Sequence, residues 1–332
     1  MAKVRRFVET LRRKIPKEFM NRLVRYLVAS AVVASLAVGV FLISRTADVL
    51  PAGAASGTST TTTLTPVTLT GFYLAVGASS SLGFQPTGIV HHDGRRTPDG
   101  YANDLVLLES FQGVALTLDQ IGCPGETVQT ILNTRVADHC YALPETQMTQ
   151  AVSFLESNQS STGLVTVDLG FNSIRLCLWP AVVNEACVNQ AIAAVRVDMP
   201  KVLRELKGAA GPNVRFVGLE YYDPFLSRYF NGATGYADAS ASLVAMDRMN
   251  ATLDQVYLNA GVSAANVPAL FDSDVTSRVA STGRGVVPEN VAQACAMTWM
   301  CYAAPFGPDD HPNDAGYALI AQAIAAVLPK SW

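Results

Sequence analysis

From residue 67 onward, short apolar runs alternate with longer segments in which apolar residues recur every three to four positions. The short runs predict strands and the longer segments predict amphipathic helices. Predicted strands cover 70–76, 114–118, 163–169, 213–219 and 266–271. Predicted helices cover 100–112, 125–133, 145–158, 184–207, 238–261 and 314–328. Because strands that alternate with helices form βαβ crossovers, the pattern predicts an α/β fold, a three-layer α/β/α domain with a central parallel sheet over 67–330.

The chain before this domain has a different pattern. Residues 1–26 form a basic segment, 27–43 form an apolar run without charge, and 44–66 form a Ser/Thr-rich linker. Seventeen apolar residues are at the lower limit for crossing a bilayer. Since positive charge stays on the cytoplasmic side, the domain is expected to be exported. We favour an uncleaved transmembrane signal anchor, which gives a single-pass protein with an extracellular domain. A signal peptide cleaved near Ala52–Ala54, which gives a secreted protein, stays open.

The charge of the chain is distributed unevenly. Residues 1–25 carry nine of the 24 Lys and Arg residues and two of the 27 acids, so the remainder sums to 15 − 25 = −10. An acidic body argues against nucleic acid as the partner, because phosphate binding needs clustered cations. The 332 residues suffice for one large domain, which we expect to be a monomer.

The six cysteines fall into three pairs that are close in sequence, Cys123 with Cys140, Cys177 with Cys187, and Cys295 with Cys301. Six cysteines allow fifteen connectivities, and we expect nearest-neighbour disulfides because short loops close easily. Metal binding is the alternative, but no Cys-x-x-Cys and no His/Cys cluster at ligand spacing is present in the sequence. Disulfides agree with export from the cytoplasm.

Two stretches at opposite ends of the domain carry candidate chemistry. Glycines bound the apolar run at 72–76, and the small residues Gly77–Gly83 follow it. Such a turn leaves a serine hydroxyl, that of Ser79, at the carboxyl edge of a parallel sheet, where α/β folds bind ligands. His311 lies beside Asp309 and Asp310 at the start of the last predicted helix. A histidine beside acids is the partner that a nucleophilic serine needs.

Two further motifs follow the intervening predicted strands. Gly125 follows the second strand, and Asn172 follows the third. Because the carboxyl ends of parallel strands meet at one edge, all these blocks are expected to converge there. Tyr221 and Tyr222 are candidates for lining an acyl pocket, although aromatic clusters more often belong to the core.

These blocks together resemble the SGNH or GDSL hydrolase family, in particular its actinobacterial-type, disulfide-containing exported esterases and lipases. Gly77–Gly83 resembles the block Gly-Asp-Ser-x-Ser/Thr-x-Gly, and Gly125 stands at the glycine of the second block. Gly170–Ser173 stands at the block Gly-x-Asn-Asp, and His311 at the terminal His-Pro. The resemblance covers 70–328 and implies a flavodoxin-like fold.

The resemblance also assigns roles to these residues. It implies that Ser79 attacks an ester carbonyl and that His311 is the general base. It implies an oxyanion hole formed by the backbone N–H groups of Ser79 and Gly125 and by the Asn172 amide. Such an enzyme needs no metal and no cofactor.

Three positions depart from the family pattern. Ala78 replaces the usual aspartate of the first block, and Ser173 replaces the aspartate of Asn-Asp. We expect both changes to alter loop packing rather than the reacting atoms. Pro308 stands where the acid that orients the histidine often lies. We favour Asp309 for that role, while Asp310 and the Pro308 carbonyl stay open.

The sequence therefore predicts an exported serine hydrolase that cleaves carboxylic esters of lipids or acylated carbohydrates. An acyltransferase acting on a cell-envelope glycan stays open, because only the exclusion of water separates transfer from hydrolysis. A catalytically idle domain that binds carbohydrate or an envelope partner also stays open.

Overall fold

The structure is a computed structural model that describes residues 69–89, 94–133, 140–180 and 182–329. The chain divides into two units, Met1–Pro66 and Val67–Trp332, and every described residue belongs to the second unit. The basic segment 1–26, the apolar run 27–43 and the linker 44–66 lie outside the described residues, and they stay predictions. Within the described ranges, no helix is both long enough and apolar enough to span a bilayer.

The described residues form strands and helices in alternation. The strands are β1 (Leu69–Gly77), β2 (Gln85–Pro86), β3 (Gly94–Arg95), β4 (Val114–Gln120), β5 (Thr162–Asp168), β6 (Arg215–Leu219), β7 (Ser263–Ala265), β8 (Val279–Thr282) and β9 (Gly285–Pro288). The α-helices are α1 (Tyr101–Phe111), α2 (Gln147–Ser157), α3 (Phe171–Leu178), α4 (Glu185–Ala209), α5 (Gly232–Ala260), α6 (Val267–Leu270), α7 (Glu289–Met297) and α8 (Asp314–Val327). Two 3₁₀ helices, Ser79–Leu82 and Pro224–Asn231, complete the set.

Five strands form one parallel sheet in the order β4-β1-β5-β6-β7. Counted along the chain, this is the order 2-1-3-4-5 of flavodoxin-like folds. The direction in which the strand order runs reverses between β1 and β5. The crevice outside the carboxyl ends of β1 and β5 is therefore where such a sheet binds a ligand.

Helices cover both faces of this sheet. On one face, Leu74, Val76 and Val165 pack with α2, α3, α4 and α5, and on the other face Tyr73, Leu164 and the helices α1 and α8 form a second core. The alternation of inward residues along β1 accounts for both cores, since successive side chains of a strand point to opposite faces. The predicted three-layer α/β/α fold with a central parallel sheet is confirmed.

Two predicted elements are wrong. Residues 125–133 form turns rather than a helix, because Gly125 adopts φ +83° and the hydroxyls of Thr127 and Thr130 bond to backbone N–H groups of the same turn. Residues 266–271 do not form a strand. The strand β7 ends at Ala265, and Asn266 accepts the Ala269 N–H to cap the short helix α6.

The structure also contains elements that the sequence pattern did not predict. The helices α3 and α7 and the hairpin of β8 and β9 are too short to show a full period of apolar residues. One of them positions the site, because α3 begins directly after β5 and carries Asn172.

All three disulfides join nearest neighbours, Cys123–Cys140, Cys177–Cys187 and Cys295–Cys301. The first closes the loop that carries Gly125, and the third closes a loop between α7 and His311. Two of the cross-links therefore restrain loops that reach the carboxyl edge of the sheet.

Candidate active site

Ser79 begins a single 3₁₀ turn directly beyond β1. The chain bends at Gly77, which has φ +158°. A Cβ at this position would lie 2.6 Å from the Asp168 carbonyl oxygen, so no larger residue fits. The Ala78 N–H donates to the same carbonyl at 3.1 Å, which ties the turn to the end of β5. Ser79 therefore stands at the point where the strand order reverses.

A continuous chain of hydrogen bonds joins Ser79, His311 and Asp309. The Ser79 Oγ lies 2.8 Å from His311 Nε2, and His311 Nδ1 lies 2.7 Å from Asp309 Oδ1. The His311 backbone N–H also donates to Asp309 Oδ1, at 2.9 Å. When Nδ1 carries the proton and donates it to Asp309, Nε2 is free to accept the Ser79 hydroxyl proton. This geometry is that of a serine nucleophile with an oriented base.

The structure separates the three candidates for orienting His311. Asp309 makes the close contact with Nδ1, whereas Asp310 Oδ1 lies 3.9 Å from it. The Asp310 carboxylate instead pairs with Arg175. Asn313, and neither acid, caps α8. The geometry therefore favours Asp309 over Asp310 and over the Pro308 carbonyl.

The surrounding charges set the protonation of this group. Burial lowers the pKa of His311, but the hydrogen bond to Asp309 and the charges of Asp309 and Asp310 raise it, and the net pKa lies above its ordinary value. Arg175 opposes this rise, because it neutralises Asp310. Burial also raises the pKa of Asp309, but its hydrogen bond and charge interaction with His311 outweigh burial and leave the net pKa lowered.

Two backbone N–H groups near the Ser79 hydroxyl make no hydrogen bond within the described residues. They belong to Ser79, which starts its turn, and to Gly125, which lies in the adjacent loop. The Asn172 amide lies at the start of α3 and donates one N–H to the Glu126 carbonyl oxygen at 3.1 Å. An amide has two N–H donors, so one remains for a ligand. These three groups can donate to an oxyanion.

A buried side chain that the sequence reasoning missed connects these parts. Gln147 on α2 accepts the Gly77 N–H at 2.7 Å and donates to the Gly77 carbonyl at 2.9 Å. Its amide also donates to the Glu126 carboxyl at 3.2 Å. Gln147 therefore links the Ser79 turn to the Gly125 loop. A glutamine at the start of a predicted helix gives no local signal of such a role.

The Glu126 side chain, next to Gly125, is buried. Its carboxyl accepts from the Thr130 hydroxyl and from Gln147, and its carbonyl accepts from Asn172. It therefore packs the Gly125 loop against both neighbouring segments.

A cavity of about 160 Å³ opens beside the Ser79 hydroxyl. Its lining includes Gly125, Asn172, Tyr221 and Tyr222, so the two tyrosines reach the site. Ionisable side chains also line it, namely Glu126, Asp168, Arg175, Glu220, Asp310 and His311. The cavity is smaller than usual ligand pockets, which have about 300–1,000 Å³, and it is unusually rich in charge.

Asp309, Asp310 and His311 offer ligand atoms within 4.8 Å of one another, which raises the question of a metal. Both ring nitrogens of His311 are engaged, by Asp309 and by Ser79. The Asp310 carboxylate is engaged by Arg175. Hydrogen bonding within the site accounts for this cluster.

The sequence matches no protein-family model and no curated protein. Among solved structures, the chain is similar to an extracellular lipase from Streptomyces rimosus, with 17% identity over 78% of this chain and 100% of that chain and a TM-score of 0.50. Phospholipase A1 from Streptomyces albidoflavus NA297 matches with 21% identity over 77% and 98% of the two chains and a TM-score of 0.47. An acetylxylan esterase from Geobacillus stearothermophilus matches with 12% identity over 79% and 95% and a TM-score of 0.45. At these identities, the likeness to the Streptomyces rimosus lipase shows that the two proteins share a fold.

Proposed function

We propose that this chain is an exported serine hydrolase that cleaves carboxylic esters through an acyl-enzyme on Ser79. The observation that carries the proposal is the hydrogen-bonded chain from Ser79 through His311 to Asp309, which ends at a cavity. The fold shared with a lipase supports the same reaction class. The SGNH-type blocks of the sequence agree with it.

The proposed reaction has two halves. The Ser79 oxygen bonds to the ester carbonyl carbon while its proton passes to His311 Nε2. The oxyanion receives hydrogen bonds from the N–H groups of Ser79 and Gly125 and from the Asn172 amide. The bond between the carbonyl carbon and the alcohol oxygen then breaks, and His311 returns the proton to the leaving alcohol. Water repeats the sequence on the acyl-enzyme and releases the acid.

The cavity supports a short acyl group rather than a long chain. The volume of about 160 Å³ lies well below the roughly 300–1,000 Å³ of usual ligand pockets. Glu220, whose pKa burial raises to about 7, and Arg175 line the same cavity together with apolar side chains such as Phe171 and Ile320, so its wall is mixed in polarity. We therefore propose acetyl-like esters as the preferred substrates.

Labelling of the full-length protein with a fluorophosphonate probe tests this function. Wild type and Ser79→Ala are compared, with turnover of p-nitrophenyl acetate and octanoate measured in parallel. We expect labelling and ester turnover in wild type only, with acetate preferred. Labelling without turnover would instead indicate transfer to an acceptor that was not supplied. If folded wild-type protein is not labelled, the proposal that the chain is a serine hydrolase is refuted and an idle binding domain is favoured.

Export and membrane attachment are part of the proposal. The three disulfides support an oxidising compartment. Fractionation of expressing cells should leave the full-length protein with the membranes. A mature N-terminus near Ala55 would overturn the anchor and indicate a secreted protein.

A further inference from the structure

A second concavity, larger than the Ser79 cavity, lies between α4 and α5. It has a volume of about 1140 Å³ and shares no lining residue with the Ser79 cavity. Its wall follows α4 from Asn189 to Gly208, which is about 28 Å at the helical rise of 1.5 Å per residue. We call it the α4–α5 groove. The proposed ester chemistry does not use it.

The charge of the α4–α5 groove is one-sided. Among the described residues, its lining contains the cations Arg196, Arg204, Lys207 and Arg248 and no Asp or Glu. The chain after residue 25 has only 15 Lys and Arg against 25 acids. Four of those 15 cations therefore line one groove of an otherwise acidic chain, and three of them have no carboxylate partner among the described residues.

Two of these cations are available to a ligand. Arg196 and Arg204 are exposed and make no ion pair or hydrogen bond with any described residue. Arg248 is held by Glu185 at 3.0 Å, and the Lys207 ammonium donates to the Ala260 carbonyl at 2.5 Å. Arg196 and Arg204 are eight residues apart on α4, which places them about 12 Å apart along the groove.

The shape and the remaining lining indicate which anion fits. A flat bilayer contacts cations on a convex surface. These cations line a concavity, which a linear polymer chain can enter. None of the described residues that line the groove is aromatic, so bases of a single-stranded nucleic acid would find no stacking surface on them. Neutral amides also line it, at Asn189, Gln255 and Asn259. Asn189 accepts from Arg248 and Gln255 donates to Asn259, but an amide has two donors and one acceptor, so each keeps a group that can bond to a sugar hydroxyl.

We propose that the α4–α5 groove binds an acidic polysaccharide, with Arg196 and Arg204 on successive anionic groups of the polymer and the amides on its hydroxyls. Binding there would hold the protein on an anionic glycan without occupying the Ser79 cavity. The proposal is independent of the ester reaction, because the two concavities share no residue.

Titration of the full-length protein with a heparin oligosaccharide tests the proposal. The variant R196E/R204E is compared with R95E/K201E, which makes the same change of charge at two exposed cations outside the groove. The basic segment 1–26 is present in every variant, so its contribution to heparin binding cancels in the comparison. We expect R196E/R204E to weaken binding at least about tenfold and to flatten the salt dependence, because fewer counterions are released. We expect R95E/K201E to bind within about twofold of wild type.

Equal weakening in both variants would overturn the proposal, because it would show a response to net charge alone. Unchanged heparin affinity in R196E/R204E would overturn it as well. Vesicles with anionic lipids form a further arm. Vesicle binding that depends on Arg196 and Arg204, without heparin binding, would reassign the groove to a membrane surface. Fluorophosphonate labelling of Ser79 at the wild-type rate in both variants would show that their folds are intact.

Discussion

Replacing Gln147 by methionine would test whether the Ser79 turn is positioned from α2. Pairing between β1 and β4 ends at Ala75 and Gln120. Gly77 is still paired with Asp168 of β5, but on the side of β4 its N–H and carbonyl bond to the Gln147 amide. Methionine has a similar length but offers no such donor or acceptor. The change therefore removes the hydrogen bonds of a fully buried side chain with little change of volume.

The expected magnitudes follow from the groups that lose a partner. The Gly77 carbonyl keeps the Cys123 N–H at 3.0 Å and the Glu126 carboxyl keeps the Thr130 hydroxyl, whereas the Gly77 N–H loses the Gln147 oxygen. A buried N–H without a partner costs about 1–3 kcal/mol of unfolding free energy. Loss of the same hydrogen bonds allows the turn that carries Ser79 to shift. Because a displacement of about 1 Å can cost roughly 10²-fold in rate, we expect kcat to fall about 10- to 100-fold with KM nearly unchanged.

The assay is p-nitrophenyl acetate turnover by full-length protein, normalised to the fraction of Ser79 that reacts with a fluorophosphonate. Urea unfolding gives the stability separately. Gln150→Met is the matched control, because it makes the same substitution on α2 at a side chain that, in the part of the chain that the structure describes, bonds to Glu145 alone. We expect Gln150→Met to change the unfolding free energy by less than about 0.5 kcal/mol and to leave kcat unchanged.

A stability loss in Gln147→Met with wild-type kcat would refute the positioning role and leave Gln147 as a structural residue. Gln147→Glu sharpens the test. A protonated carboxyl at position 147 both donates and accepts, as the amide does, whereas the ionised form only accepts. The ratio of kcat in Gln147→Glu to that of wild type should therefore rise as pH falls, and a ratio independent of pH would contradict the reasoning.

Three further predictions concern charge and cross-linking around the site. Arg175→Met removes the cation beside Asp310, so the pKa of His311 should rise. The acidic limb of the pH profile of kcat/KM should then move to higher pH, and an unmoved limb would contradict the charge argument. Burial raises the pKa of Asp168 to about 6 despite the hydrogen bond from Tyr221, so this group stabilises the fold below about pH 4 and loses that contribution as pH rises through about 6. In Asp168→Asn, the fall in unfolding free energy between about pH 4 and 8 should be smaller than in wild type by about 2–3 kcal/mol, and an equal fall would exclude Asp168 as its source. The double change C123S/C140S opens a loop with a sequence separation of 17 and should lower the unfolding free energy by about 3 kcal/mol in urea melts, whereas wild-type stability would mean that the loop is closed by its other contacts.

The fold could be predicted because its signals are local. The alternation of short apolar runs with amphipathic segments depends on residues a few positions apart, and a parallel sheet follows from it. Nearest-neighbour disulfides depend on short loops and were expected for the same reason. The same local reasoning predicted a helix at 125–133, and there the φ of Gly125 and the threonine hydroxyls determine the turns instead.

The residue types at the site could also be predicted, since Ser79, Gly125, Asn172 and His311 each follow a strand or precede a helix. The sequence left open which group orients His311, because Asp309 and Asp310 are adjacent. Their separation depends on Arg175, which lies 135 positions from Asp310 in the chain and pairs with it only after α3 packs beside the site.

The sequence by itself determined the layers of this protein, the strands that end at one edge and the residues able to do chemistry there. The tertiary structure alone decided which of them meet. Ser79 and His311 are 232 positions apart, and Gly77 and Gln147 are 70 apart. No pattern of local spacing encodes contacts between residues so far apart in sequence. These contacts follow from the order of strands in the sheet, which brings the ends of β1 and β5 together. The same order leaves the Gly77 N–H to bond to a side chain from a neighbouring helix.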